Sequence, residues 1–170
     1  MSIRKPFTTL ALGLACAVIS APAQALADPQ PQTYFVHGKS RGVVTINVET
    51  LAIGGESKGH LSRFGRTTVA LDFRETVVTP EGTRSKGEFT ISAADGDAVS
   101  GTFTLAGAPP TGEDHTSDFE ITITGGTGRF TGATGLLHAH NTLHPFQTPT
   151  PESPFIVETI ETVTSGYITY

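Results

Sequence analysis

At 170 residues the chain suits one domain with one hydrophobic core, and its 11 basic against 16 acidic side chains, with no basic cluster, argue against a nucleic-acid partner. A single cysteine rules out an internal disulfide framework, so burial of apolar surface must hold the fold. Abundant Gly and Thr, no Trp and a lone Met favour strands and tight turns over helices.

Residues 1–27 run from a basic start (Arg4, Lys5) through an apolar stretch (Leu10 to Ile19) to small residues ending in Ala25-Leu26-Ala27. That order is expected of a secretory signal peptide cleaved before Asp28, with Ala23-Gln24-Ala25 as a second cut. Cys16 does not fit a lipid-attachment site, because Gly13 stands where a large aliphatic residue is wanted. The apolar stretch is shorter than the ~20 residues of a membrane span, and no later segment approaches that length. Residues 28–170 are therefore expected to form a secreted or periplasmic domain with no membrane span and, without Arg4 and Lys5, a net charge of −7.

After a Pro/Gln-rich lead, the chain alternates apolar with polar residues, the period of half-buried strands. Thr33 to His37 is the first candidate, followed by Val44, Ile46 and Val48 on one face. Lys58 to Phe64 comes next, then Val69, Leu71 and Phe73, then Phe89 and Ile91, then Val99, Phe103 and Leu105, then Phe119, Ile121 and Ile123. Leu136 to Leu143 and Phe155 to Tyr170 complete eight to ten strands. Expected turns fall at Gly54-Gly55, Pro80-Glu81-Gly82, Asp95-Gly96-Asp97 and Pro109 to Gly112. So many strands must close into a barrel or stack as a sandwich, because an open sheet would leave exposed edges.

The segment GGTGRFTGATGLLHAHNTLHPF, residues 125–146, decides between them. Gly125, Gly126, Gly128, Gly132 and Gly135 surround one buried-looking aromatic, Phe130, which reads as a tight reversal between two strands. A phosphate cradle is the alternative use of such glycines, but it needs a βαβ setting and no helix follows. Gly125, Gly126, Thr127, Gly128, Phe130 and Gly135 resemble the late hairpin of the family of allene oxide cyclases and plant dirigent proteins, and His140 with Pro145-Phe146 resembles the cyclase version of the next strand. The resemblance covers about twenty residues. It implies an all-β, closed eight-stranded antiparallel barrel of calycin-like form, in which cyclases isomerise a lipid epoxide and dirigent proteins steer the coupling of phenoxy radicals.

Two groups of residues are candidates for chemistry. His138, His140 and His144 share a strand parity, and paired imidazoles on one face can bind a transition metal. Leu137, Ala139 and Leu143 on the other parity look like the core side, which sends the histidines to solvent, so no metal is expected. His60 and Arg63 read either as a proton shuttle and fixed cation at a barrel mouth or as an exposed turn. No nucleophile or paired acid attaches to them by spacing, which favours the turn. Glu158 and Glu161 differ in parity and do not make an acid pair, and Ser62 and Ser100 lack a nucleophile elbow.

The expected function is binding of a small apolar molecule in a lumen lined by Val44, Ile46, Val69, Leu71, Phe89, Phe103, Phe119 and Ile121, without a cofactor. Small residues at inward positions, Thr67, Ala93 and Gly101, predict a residual cavity. The alternative is a cofactor-independent isomerase or cyclase, or a dirigent-like guide, in the same lumen. A filled barrel acting through its surface is the third reading, and a homo-oligomer is left open.

Overall fold

The computed structural model describes residues 30–109 and 112–170, so the signal-peptide reading of residues 1–27 lies outside the described residues. Eight strands follow one another: β1 (Thr33–Asn47), β2 (Ile53–Leu61), β3 (Gly65–Thr79), β4 (Gly82–Ala93), β5 (Ala98–Gly107), β6 (His115–Gly126), β7 (Thr134–Gln147) and β8 (Phe155–Thr169). Each pairs antiparallel with the next, and β8 pairs with β1 from Thr33↔Thr169 to Asn47↔Phe155, which closes the barrel. Closure removes both sheet edges and gives every strand a partner on each side. Among the described residues no helix is long and apolar enough to cross a membrane.

Alternation carries the closure into a core. Along β6, Ser117, Phe119, Ile121 and Ile123 are buried while Thr116, Asp118, Glu120 and Thr122 are exposed, and β4 and β8 alternate in the same way. The inward side chains form two clusters. A larger one, around Val36, Leu61, Phe64, Ile91, Phe103, Phe130 and Ile168, fills the end that carries the β2–β3 and β6–β7 turns, called here the lower end. A smaller one, Val44, Ile46, Leu143, Ile156 and Ile160, sits towards the upper end, beside the β1–β2 turn.

The lower end is closed by aromatic rings. Phe130, on a single 3-10 turn (Gly128–Phe130) between β6 and β7, has no exposed surface and stacks on Phe64. Tyr170 meets Phe130 edge-on at 5.0 Å and lies 5.0 Å from Tyr34, so these two tyrosines close the barrel, whereas Tyr167 points outward. Gly128 has φ +57°, and a Cβ there would run into the Asp97 carboxylate, which also accepts a hydrogen bond from the Arg129 backbone N–H. Only glycine satisfies both demands at this turn.

Three local expectations are corrected. Gly54 and Gly55 are not a turn; they pair with Thr45 and Val44 inside the β1–β2 ladder. The reversal lies at residues 48–52, where the Asn47 Oδ1 accepts hydrogen bonds from the backbone N–H groups of Glu49 and Thr50. An Asn side chain that mimics a backbone turn did what the glycine pair was expected to do. Val48 therefore falls beyond β1 and is exposed rather than inward. Thr33 to His37 and Val44 to Val48 are not separate strands, since β1 runs unbroken from Thr33 to Asn47, and residues 62–64, expected to continue β2, form the β2–β3 turn.

Candidate functional site

The lumen holds two chambers in line. The lower one, about 50 Å³, is lined by Val69, Ile91 and Ile121 and by a polar belt of Ser40, Ser57, Thr67, Asn141, Thr162 and Thr164. The upper one, about 60 Å³, is lined by Ile46, Ile53, Phe73, Leu105, Leu143, Thr83 and His115, with Leu51 and Ala108 from the turns at its mouth. Val44, Leu71, Phe119 and Ile160 line both and form the partition between them. Each volume is several times the ~10–15 Å³ that admits one water.

Six of the eight expected lumen residues, Val44, Ile46, Val69, Leu71, Phe119 and Ile121, line these chambers. Phe89 and Phe103 are buried but border neither; Phe103 packs against Phe73 at 5.0 Å and Phe119 at 5.1 Å and fills the space beside the partition. Thr67 lines the lower chamber. Gly101 does not open space: it lies where β5 and β6 shift register, and a Cβ there would run into the Thr122 carbonyl oxygen. Its smallness serves the bend of the sheet.

The polar groups of the lumen fall into two kinds. Those of the belt are largely paired: Thr162 Oγ1 donates to Asn141 Oδ1 at 2.7 Å, Asn141 Nδ2 donates to the Ser117 carbonyl and hydroxyl, and Ser57 Oγ donates to Ser40 Oγ. The others are not. Thr67 Oγ1, Thr83 Oγ1 and both carboxyl oxygens of Glu158 are buried without a hydrogen-bond partner, and each belongs to an inward position of the barrel. A buried polar atom left unpaired costs ~1–3 kcal/mol, so these inward groups weigh against the stability of the barrel.

Glu158 is the extreme case. It stands on the inward parity of β8 between Ile156 and Ile160, with 0% of its side chain exposed. Burial pushes its carboxyl above the usual glutamate range, and His115 pulls it partly back. The His115 Nε2 is 3.8 Å from Glu158 Oε1, while its Nδ1 is 2.9 Å from the Glu113 carbonyl oxygen. A carbonyl only accepts, so Nδ1 carries the proton, and in a neutral imidazole Nε2 is left as a lone pair facing the carboxyl group.

The residues picked out for chemistry lie elsewhere. His60 is exposed on β2, opposite Lys39 and Arg66. Arg63 occupies the β2–β3 turn with φ 74° and places its guanidinium 4.5 Å from the Tyr34 ring centroid, outside the lower closure. His138 and His140 project from the outer face of β7; His140 pairs with Asp118 at 2.7 Å, and His144 with Asp114 at 2.8 Å. Among the described residues no group of three or more His, Asp or Glu is arranged to hold a metal ion. Gly125, Gly126, Gly128, Phe130 and Gly135 build the β6–β7 reversal as described. The outer wall carries one apolar strip, where Tyr167 of β8 lies opposite both Phe35 of β1 and Leu136 of β7, all three exposed.

Sequence reasoning passed over His115 and weighed Glu158 only as a partner for Glu161. The signal was present in both strands: an acid on the apolar parity of Ile156-x-Glu158-x-Ile160, and a histidine on the parity of Ser117, Phe119 and Ile121. Comparison with protein-family models and with curated proteins finds no match for this chain.

Proposed function

We propose that the chain binds a small, mainly apolar molecule inside its barrel. The observation that carries this reading is the coincidence of two apolar-walled chambers with unpartnered buried hydroxyls on their walls, Thr67 in the lower and Thr83 in the upper, and with an unpartnered buried carboxyl group, Glu158, on the inward face of β8. A core selected only for stability would fill such space and pair or replace such groups. Binding would be driven by removal of apolar area from water at ~25 cal/mol per Å², with the polar atoms setting orientation. The order of residues 1–27 supports action outside the cytoplasm after cleavage near Asp28, which N-terminal sequencing of exported protein tests.

Titration of a fluorescent apolar probe tests the binding. Ala139 is buried and lines the lower chamber, so Ala139→Leu fills that chamber from a wall position. Wild type should show saturable, one-to-one enhancement and the variant should lose it at least in part. No saturable uptake by wild type would leave the lumen as ordinary core.

A second reading has its own observation. An isomerase or cyclase of the allene oxide cyclase type is served by an inward polar group that can polarise or protonate an epoxide oxygen, and the raised Glu158 carboxyl beside His115 is such a group. The closed eight-stranded barrel and the glycine reversal between β6 and β7 support kinship with that family. Conversion of an apolar epoxide by wild type, lost in Glu158→Gln, would favour catalysis over binding alone.

A further inference from the structure

We propose that the upper chamber selects ligands carrying a protonated amine on an apolar body, the ammonium taking the place of His115 as counter-ion to Glu158. The inference rests on the lumen being the binding site and names the class of molecule it takes.

Glu158 lacks hydrogen-bond partners. A carboxylate has room for about four hydrogen bonds, and this one makes none, although its side chain is wholly shielded from solvent. Its one cationic neighbour within 4 Å among the described residues is His115, and at 3.8 Å that contact is too long for a hydrogen bond. His115 is also poorly placed to serve as a permanent counter-ion. Its Nδ1 proton is committed to the Glu113 carbonyl, so only a doubly protonated ring offers Glu158 a donor. The carboxyl group is thus either held neutral by its surroundings or ionised with a remote partner, and both states leave acceptor capacity unused.

An ammonium group supplies what is missing. It carries a full positive charge and three N–H donors, against one donor for an alcohol and none for a carboxylate. Most of the remaining wall, including Ile46, Ile53, Phe73, Leu105 and Leu143, offers only apolar contact, which suits a hydrocarbon or aromatic body. His115, at 9% side-chain exposure, lines the chamber and is 3.8 Å from Glu158, which does not itself line it, so His115 is the group an entering cation would displace. A ligand carboxylate would instead stand beside a second carboxyl group, which costs energy unless one of them is protonated.

The test compares hexylamine, hexanol and hexanoate, matched in chain length, by calorimetric titration against wild type and Glu158→Gln. Gln keeps the shape and removes the charge, and loss of an unpaired buried carboxyl should leave the fold at least as stable. Wild type should bind hexylamine about tenfold more tightly than hexanol, the difference between a charge-assisted and a neutral hydrogen bond. In E158Q the two should bind alike, with hexanol unchanged. Equal binding of amine and alcohol by wild type, tighter binding of hexanoate, or an amine preference that survives in E158Q would overturn the proposal while leaving the lumen as a binding site. Failure of all three ligands to bind wild type would overturn the binding reading and this proposal with it.

Discussion

Phe64 and Phe130 stack with ring centroids 4.5 Å apart and planes inclined by 23°, joining the β2–β3 turn to the 3-10 turn between β6 and β7. Two reversals far apart in sequence are thereby packed into one plug across the lower end, with Tyr170 set edge-on against Phe130. Truncation of Phe130 removes the shared surface of both contacts. Phe130→Ala should cost ~3–5 kcal/mol in denaturant titration, as large core truncations do. A loss below ~1 kcal/mol would show that the plug contributes little to the fold.

Glu158 should give stability a recognisable pH dependence. Burial raises its carboxyl above the unfolded value, so its cost is absent below that value, near pH 4, and grows as the pH rises through the raised folded value. The melting temperature of Glu158→Gln minus that of wild type should therefore be small in acid, become more positive as the pH rises through the raised value, and then level off. A difference that is flat or falls with pH would contradict the assignment.

Thr67 and Thr83 separate stability from binding. Replacing an unpartnered buried hydroxyl by a methyl group of equal shape removes a desolvation cost, so Thr67→Val and Thr83→Val should each stabilise the unliganded protein by about 1 kcal/mol. Thr83→Val should leave the preference for hexylamine over hexanol unchanged, since Thr83 stands on β4, across the barrel from Glu158 on β8. Loss of stability in both variants would mean that these hydroxyls have partners in solution.

The architecture was legible because alternation is a direct consequence of strand geometry. Phe119, Ile121 and Ile123 could only face one way, and the family resemblance carried by the glycine reversal around Phe130 implied a barrel. Turn placement was legible where Pro-Glu-Gly and Asp-Gly-Asp force a reversal and misleading at Gly54-Gly55, because glycine also serves strands that approach closely and Asn47 turns the chain through its side chain. The candidate site was half legible. Its apolar walls follow from parity, but the size of the chambers depends on how rings such as Phe103 and Phe119 pack across the lumen. The meeting of His115 and Glu158 joins β6 to β8 across β7, a relation of register that no local pattern encodes.

The most direct test of a ligand-binding lumen is a crystal structure of the protein soaked with a small iodinated aromatic, read from the anomalous signal of iodine. The account predicts iodine inside the barrel, in a chamber bordered by Val44, Leu71, Phe119 and Ile160, with Ala139→Leu diminishing a peak in the lower one. Iodine found only on the outer strip of Phe35, Leu136 and Tyr167, with none within the barrel, would contradict it and make the surface the working part of the molecule.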